Sequence, residues 1–233
     1  MRNNVRSGFY RSLFILTLLG LPWHGLSLAA TETAPSPREL VIATSENLLA
    51  ELQKNKTAIK QDMDVAYRLA EDTVIPQLDF PRITRWVLGK HWRAATDDQR
   101  QRLTREFRTL LIRSYVSAMV TYVDQILQHA DNVQFPPERS RQDGDTAVVT
   151  MLISQETGQR VAVQYEMHLN EAGWKIYDVQ VEGISLALTY RSKQPQCSGL
   201  RHHATFSSHL RTMCQEATLQ LFVLLALYSR RRR

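Results

Sequence analysis

The chain has 233 residues and a formal net charge of +6, but the positive charge is concentrated at its two ends. Residues 1–30 contain three arginines and no acidic residue, and residues 193–233 contain seven Lys/Arg against one Glu, which leaves residues 31–192 with 19 basic and 22 acidic side chains. The slightly acidic balance of residues 31–192, without an evident basic stripe, argues against a nucleic-acid partner. Its length suits one domain with a sizeable core.

The first 30 residues have the three parts of a secretory signal peptide. Three arginines precede the apolar run 13–21, which Pro22 ends, and Ser27–Ala30 supplies small residues for cleavage. The apolar run is about half of the ~20 residues that a membrane span requires. We therefore predict a signal peptide over residues 1–30 and a domain over 31–192 that works outside the cytoplasm. An uncleaved anchor is the alternative.

Three helices are predicted before residue 90. Ser36–Glu39 forms a capping box with proline at the first helical position, so a helix should begin there. A second helix is predicted over about 60–74, ending before Pro76. A third should run from Asp79 to Trp86 and end at Gly89, which can adopt the left-handed conformation of a helix C-terminus.

The longest helical pattern follows a second capping box, Thr96–Gln99. It reaches about Gln128, with a break predicted near Tyr115. Its apolar residues recur at intervals of three and four: Leu103, Phe107, Leu110, Leu111, Ser114, Ala118, Tyr122 and Ile126. This spacing predicts an amphipathic helix, but the pattern leaves open whether each side chain packs on the sheet or contacts a ligand.

The second half of the domain alternates apolar and polar residues with a period of two. A short strand is predicted at 132–135, and longer ones at 146–153 and 161–169, with turns at 143–145 and 157–159. These strands and the segment after Gly173 predict a meander of about four antiparallel strands with one apolar face. Helices before strands indicate an α+β fold, with the helices on one face of the sheet and an apolar cavity between them.

The segment Gly173–Arg191 contains two strand patterns separated by Glu182-Gly183. Strict alternation predicts that Tyr177, Val179 and Val181 share one face with Lys175, and that Trp174, Ile176, Asp178 and Gln180 share the other. After a bulge or sharp bend at Gly183, it predicts a strand whose one side carries Ile184, Leu186, Leu188 and Tyr190.

No catalytic apparatus is evident in the sequence. Glu166 and His168 share a predicted strand face, beside Asp178 or Glu182 of a neighbouring strand, but such residues are more often cross-strand pairs on a solvated face. Nucleophile-elbow, zinc-protease, P-loop and C-x-x-C motifs are absent. The two cysteines lack a zinc-ligand spacing. We therefore predict a protein that is not an enzyme and has no metal site.

Two blocks of the sequence resemble a known family. The segment after Gly173 reads G-W-K-x-Y-D-V-x-x-E-G-I-S-L and then Y-R, and Val87–Thr96 reads V-L-G-K-H-W-R-A-A-T, followed by Gln99, Phe107 and Tyr115. In this order and at this separation, the two blocks resemble the MlaC-type periplasmic phospholipid-binding proteins, also called toluene- or organic-solvent-tolerance proteins. The resemblance covers roughly Ser36 to Arg191.

The resemblance implies that the sheet and the helices part to hold the acyl chains of a phospholipid, which is the expected cargo, with no other cofactor. The lipid-binding residues expected from it and from the apolar patterns are Leu88, Trp92, Phe107, Leu111, Val149, Met151, Val163, Tyr165, Met167, Tyr177, Val179, Ile184 and Leu188.

The function that the resemblance implies is that of a periplasmic carrier in a Gram-negative bacterium. It would move phospholipid between the outer membrane and an inner-membrane ABC transporter of the MCE type, and so maintain outer-membrane lipid asymmetry. The implied partners are that transporter and an outer-membrane lipoprotein–porin complex, and we expect a monomer. The alternatives are an NTF2-like enzyme or binding domain with a small-ligand cavity, and a structural adaptor with a fully packed core.

After Ser192 the sequence departs from the family pattern. Residues 193–233 contain both cysteines, Cys197 and Cys214, an apolar segment at 217–228 too short to span a bilayer, and four terminal arginines. A shifted reading frame is the favoured interpretation, which predicts poor order at 193–208 and loose docking or aggregation of the apolar segment. A basic helix lying at a membrane surface is the alternative.

Overall fold

The computed structural model describes residues 34–155 and 158–192, all of which belong to one compact unit. The predicted signal peptide, the tail at 193–233 and its two cysteines lie outside the described residues, so those predictions remain predictions. Within the described ranges, no helix is long and apolar enough to cross a membrane, and no group of His, Cys, Asp and Glu side chains is placed to hold a metal ion.

Helices occupy the first half of the described chain. Their bounds are α1 Pro37–Gln61, α2 Met63–Thr73, α3 Phe80–Leu88, α4 Lys90–Ala94, α5 Asp97–Thr121 and α6 Val123–Gln128, with α7, Leu186–Ser192, after the sheet. Short 3₁₀ turns lie at Ile75–Gln77, Ala130–Asn132 and Pro137–Arg139. The two longest helices, α1 and α5, have 25 residues each, about 37 Å at 1.5 Å per residue.

Both predicted capping boxes are confirmed. The Ser36 hydroxyl accepts a hydrogen bond from the Glu39 amide (3.3 Å), while Glu39 Oε2 accepts one from the Ser36 amide (2.9 Å). Thr96 and Gln99 make the same reciprocal pair at 3.3 and 2.9 Å. These bonds satisfy amides that the first turn of a helix leaves without partners, and they start α1 and α5 where the sequence predicts.

Two predicted helix boundaries are wrong. The first helix continues to Gln61, and the chain breaks at Asp62, whose carboxylate caps α2 by accepting the Asp64 amide at 2.8 Å. The break predicted near Tyr115 lies at Tyr122 instead. An aspartate side chain can compete for backbone amides and so mark a helix start, whereas periodicity alone runs on through both breaks.

The sheet is antiparallel throughout and has six strands. They are β1 Val133–Gln134, β2 Arg141–Asp143, β3 Thr146–Ser154, β4 Arg160–Asn170, β5 Gly173–Val181 and β6 Ile184–Ser185, in the order β1-β3-β4-β5-β6, with β2 also pairing with β3. The predicted meander is confirmed in its three long strands. The strands beyond the expected four, β2 and β6, have three and two residues, too few to show a period.

The strict alternation predicted for β5 is wrong because of a β-bulge. Glu166 of β4 pairs with Asp178 and Met167 pairs with Ile176, which leaves Tyr177 without a partner. The extra residue turns Ile176 and Trp174 onto the face of Val179, whereas strict alternation places them on opposite faces. We call the face that carries Tyr165, Met167 and Val179 the inner face, and the face that carries Glu166 and His168 the outer face.

The strand predicted over Ile184–Tyr190 is also wrong. A tight turn follows β5, with φ of 51° at Glu182 and 76° at Gly183, so the bend predicted at the glycine is confirmed. Only Ile184 and Ser185 then pair with β5, and the chain continues as helix α7. Ser185 starts that helix because its hydroxyl accepts the Leu188 amide at 3.0 Å, the bond of an N-cap residue.

The core is divided among several apolar clusters. One lies between α1, α2, α5 and α6 and contains Leu52, Ile59 and Val116. A second joins α1 to the inner face, where Val41 packs with Ala147, Val149, Met167, Trp174 and Ile176. Because α1 contributes to both clusters, it fixes the helical layer on the sheet. This arrangement confirms the predicted α+β fold. The expectation that the helices lie on one face only is wrong, because α3 begins beside His168 of the outer face, where its N-cap Asp79 contacts the His168 ring.

Candidate functional site

One part of the inner face is a cluster of strand residues, two of which, Tyr165 and Val179, also adjoin the cluster beneath α1. Its residues pack against one another, and no described helix residue belongs to their cluster: Met151, Ile153, Val161, Val163, Tyr165, Val179 and Val181. We call this surface the strand patch. Pairing places all of its members on the inner face, since Met151 lies opposite Val163 and Tyr165 lies opposite Val179. The strand patch is an apolar surface of β-branched and flexible side chains, suited to non-directional contact with hydrocarbon.

Tyr165 is the polar exception within the strand patch. Its ring is only half-buried, yet burial raises the pKa of its hydroxyl to about 12. A partly accessible ring can carry this shift because desolvation depends on all the protein atoms that surround the hydroxyl. The hydroxyl contacts Met151 Sδ at 3.7 Å.

The structure brings six of the predicted lipid-binding residues together on the inner face. Met151, Val163, Tyr165 and Val179 belong to the strand patch, and Val149 and Met167 adjoin it in the cluster beneath α1. Three further members of the strand patch were missed, Ile153, Val161 and Val181. They follow the same alternation as the residues that were found, and this alternation is the signal that identifies them.

The four helical candidates lie elsewhere. Phe107 is buried between α3, α5 and α7, where its ring meets the Tyr190 ring edge-on with centroids 5.6 Å apart. Leu111 adjoins both this cluster and the helical core, and Leu88 is buried at the end of α3. Trp92 lies beneath the Arg100 guanidinium, 5.6 Å from its ring centroid. None of the four belongs to the strand patch.

Three of the predicted lipid-binding residues lie away from the strand patch, because the segment after Gly173 contains a β-bulge and ends in a helix. The bulge puts Tyr177 on the outer face, where Arg82 lies over its ring at 4.6 Å and Trp86 meets its edge at 6.3 Å. Ile184 and Leu188 retain 51% and 45% of their surface exposed, because a turn and a helix replace the predicted strand. The expectation that Tyr177 lies on the same face as Val179, and that Ile184 and Leu188 face the sheet interior, is therefore wrong.

Asp178 performs a structural task that the sequence did not reveal. Its carboxylate accepts hydrogen bonds from the Ala187 amide (3.1 Å), its neighbour Val179 (2.9 Å) and the Ser185 hydroxyl. Burial raises the pKa of the Asp178 carboxyl, and the three donors oppose that shift only in part. Asp178 and Ser185 together hold the first turn of α7 against β5, so this carboxylate is not part of a solvated sheet face.

The titratable groups of the outer face form hydrogen bonds with one another and with the start of α3. His168 Nε2 lies 2.7 Å from Asp79 Oδ2, and the other oxygen of Asp79 caps α3 by accepting the Arg82 amide at 2.9 Å. Glu166 accepts from the Gln180 amide group at 2.5 Å. These side chains point away from the strand patch, which lies on the inner face. The described residues do not form the apolar cavity lined with acids or histidines that an NTF2-like enzyme requires.

The helices around α5 carry an excess of positive charge, which corrects the expectation, drawn from the charge balance of residues 31–192, that the domain has no basic stripe. Residues 80–113 contain nine Lys/Arg against three Asp/Glu. Arg102, Arg105 and Arg113 are exposed on α5, and none of the ion pairs among the described residues involves them. Their spacing puts them along one side of the helix over about 16 Å. We call them the outer arginines of α5.

Comparison with known proteins decides the family. The family model described as MlaC protein matches residues 43–196. The chain belongs to the MlaC family. The toluene tolerance protein ttg2D of Pseudomonas putida is 27% identical over 164 residues, 70% of this chain and 73% of that protein. The intermembrane phospholipid transport system binding protein MlaC of Haemophilus influenzae is 24% identical over 154 residues, 65% of this chain and 69% of that protein.

Comparison with a solved structure extends the similarity to three dimensions. The phospholipid-binding protein of Ralstonia solanacearum, solved in complex with a phospholipid, superposes with a TM-score of 0.57 and 25% sequence identity. The similarity covers 80% of this chain and 99% of that one. The α+β architecture described above is therefore the fold that this phospholipid complex shares.

The two motif blocks of this MlaC family member meet in space. Gly89, at the C-terminus of α3, has a φ of +52°, and a Cβ added to it would lie 2.9 Å from the guanidinium of Arg191. Glycine therefore serves two purposes, since it adopts a positive φ that other residues rarely take and leaves room for the arginine. The L-G and Y-R elements therefore lie side by side, next to the apolar cluster through which α3 packs on α7.

Proposed function

We propose that this protein is a periplasmic phospholipid carrier whose acyl-chain site is the strand patch. The observation that supports the proposal most directly is a patch of seven apolar or aromatic side chains on the inner face that no described helix residue joins. It occurs in a member of the MlaC family that resembles a structure solved with a phospholipid. Binding there would bury hydrocarbon without any catalytic group nearby.

A carrier is physically necessary for a lipid to cross an aqueous compartment. Each methylene exposed to water costs about 0.8 kcal/mol, so two acyl chains with about 30 methylenes face a gross barrier on the order of 20 kcal/mol. A protein surface that replaces water throughout the journey removes most of this barrier. The chain has no P-loop, so the direction of transport has to come from its partners.

We extend the proposal to those partners. The protein would exchange lipid with an inner-membrane ABC transporter of the MCE type and with an outer-membrane lipoprotein–porin complex, which together would maintain outer-membrane lipid asymmetry. The outer arginines of α5 support docking at a negatively charged surface, because they are exposed and have no carboxylate partner among the described residues.

The acyl-chain site can be tested with two glutamate substitutions that the structure distinguishes. Val179 lies in the strand patch, whereas Ile184 is 51% exposed beyond the Glu182-Gly183 turn. Protein purified from cells is extracted with organic solvent, and the bound lipid is measured by mass spectrometry. Val179→Glu should lose phospholipid because a charge cannot be buried against acyl chains without a partner. Ile184→Glu should retain it.

Circular dichroism of both variants separates loss of ligand from loss of fold. If Val179→Glu does not fold, the milder Val179→Thr replaces one methyl with a hydroxyl and should still reduce the bound lipid. Full phospholipid content in a folded Val179→Glu protein would exclude the strand patch as the site. The absence of phospholipid from the unmodified protein would contradict the carrier function itself.

A further inference from the structure

The Tyr165 hydroxyl is a hydrogen-bond donor without an adequate acceptor. Tyr165 lies in the middle of β4, opposite Val149 on one side and Val179 on the other. Among the described residues, the contact that its hydroxyl makes is with Met151 Sδ, at 3.7 Å. A thioether sulfur is a weak acceptor. Since burial raises the pKa of this phenol to about 12, it keeps its proton throughout the physiological range.

A hydroxyl in such surroundings implies a missing partner. Burying a hydroxyl without a good hydrogen bond costs about 1–3 kcal/mol, and a phenylalanine would fill the same space without that cost. The side chains that flank Tyr165 on the inner face are apolar, and the nearest charged side chain of its own strand, Glu166, projects from the outer face. No described side chain on the inner face is therefore placed to accept the proton.

The chemistry of the surroundings selects among the acceptors that a phospholipid offers. A phosphate carries a charge, and its transfer into apolar surroundings is far more costly than that of a neutral carbonyl. The ester carbonyls are neutral acceptors at the junction between the acyl chains and the glycerol. They are the polar groups of a phospholipid that can lie against an apolar patch while its chains are buried there.

We propose that the Tyr165 hydroxyl donates a hydrogen bond to an acyl ester carbonyl of the bound phospholipid, so that the site prefers ester-linked to ether-linked lipids. The inference rests on the proposed function and adds a specific polar contact to it. The hydrogen bond would fix how deeply the chains enter, because the ester group occurs at one position in the lipid while the methylenes beyond it are interchangeable.

The test compares two lipids on three full-length proteins. The lipids are a diacyl phosphatidylcholine and its dialkyl ether analogue of equal chain length, and the proteins are the unmodified chain, Tyr165→Phe and Tyr177→Phe. Tyr177 is the matched control, because its ring lies on the outer face against Arg82 and Trp86. Dissociation constants are measured by displacement of a fluorescent phospholipid from delipidated protein.

The unmodified protein and Tyr177→Phe should bind the ester lipid about tenfold more tightly than the ether lipid, as expected for one neutral hydrogen bond in a buried site. Tyr165→Phe should bind the ester lipid about tenfold more weakly while its affinity for the ether lipid is unchanged. A purely structural role for the hydroxyl would weaken both lipids equally.

Equal losses for both lipids, or no loss for either, would overturn the inference while leaving the carrier function intact. Failure of the unmodified protein to bind either lipid would instead overturn the proposed function, and this inference with it. A folded Tyr165→Phe protein is required for the comparison, and removal of one oxygen from a half-buried ring leaves no cavity that would unfold it.

Discussion

The Asp178 carboxylate is the contact that should most strongly determine whether α7 stays on the sheet. It accepts the Ala187 amide at 3.1 Å and the Ser185 hydroxyl, both across the β5–α7 corner, and its neighbour Val179 at 2.9 Å. The substitution Asp178→Ala removes the acceptor of all three donors. The loss can be estimated from the two bonds that cross the corner, since the bond to Val179 is local.

A hydrogen bond to a charged group contributes about 1.5–3 kcal/mol net, and we take the lower limit because burial already disfavours this charge, as the raised pKa of Asp178 shows. Two such bonds give a loss of about 3 kcal/mol in the free energy of unfolding. For a domain of this size that loss corresponds to a fall in Tm of roughly 6–12 °C. Urea and thermal unfolding followed by circular dichroism would measure it.

Two companion variants make the measurement specific. Asp143→Ala removes an exposed aspartate from β2 and should change the free energy of unfolding by less than about 0.5 kcal/mol. Asp178→Asn retains an oxygen for the two amides and an amide group beside Ser185, so it should cost only about 1 kcal/mol. A loss below about 1 kcal/mol for Asp178→Ala would refute the view that this carboxylate holds the corner.

The pH dependence of Asp178→Asn provides an independent check. Burial raises the pKa of Asp178 in the folded state above its value of about 4 in the unfolded chain. In the interval between the two pKa values the folded protein binds the extra proton, so the stability that this group contributes falls as the pH rises. The stability difference in favour of the unmodified protein over Asp178→Asn should therefore shrink as the pH rises from about 4 toward the folded-state pKa of Asp178.

Two other predictions concern Gly89 and the outer arginines of α5. Gly89→Ala and Gly144→Ala should each lower the free energy of unfolding by about 1–2 kcal/mol, because both glycines have a φ of +52°, and the exposed Arg191 side chain near Gly89 can move aside from the added methyl group. A much larger loss for Gly89→Ala in thermal unfolding would mean that Arg191 is held in place. Replacing the three outer arginines of α5 with glutamine should slow phospholipid delivery to inner-membrane vesicles that contain the MCE-type transporter by about fivefold at low salt. A control triple carries the same charge change elsewhere, at Arg139, Arg141 and Arg160, and a similar effect of both triples would exclude α5 as a specific docking surface.

Local patterns in the sequence were enough to locate most elements of this fold. Both capping boxes start helices where they were predicted, because a serine or threonine and a carboxylate or amide three residues later satisfy each other's amides without outside help. The long strands β3, β4 and β5 follow from their alternation, and the turn at Gly183 follows from its lack of a Cβ. The family resemblance, carried by two short blocks, was also sufficient to identify an MlaC family member.

The positions of the site residues depended on contacts between distant parts of the chain, which local sequence patterns do not specify. The bulge that turns Tyr177 outward and Ile176 inward arises from pairing between β4 and β5, and a one-residue slip in a strand reverses the face of every side chain beyond it. The segment after Gly183 alternates like a strand, yet Ser185 and Asp178 cap a helix there because folding places them at the same corner.

The sequence by itself therefore determined most of the elements, the antiparallel meander and the family, all of which follow from patterns among residues that are close along the chain. Only the tertiary structure decided which apolar residues pack beneath helices and which form the strand patch. Tyr165, Val149 and Phe107 look alike as apolar positions in a periodic pattern, but their surroundings differ, because helix α1 covers one end of the inner face while the cluster at the other end contains strand residues alone among those described. Burial is a property of the assembled layers, and a one-dimensional pattern specifies a face of an element without specifying what lies against it.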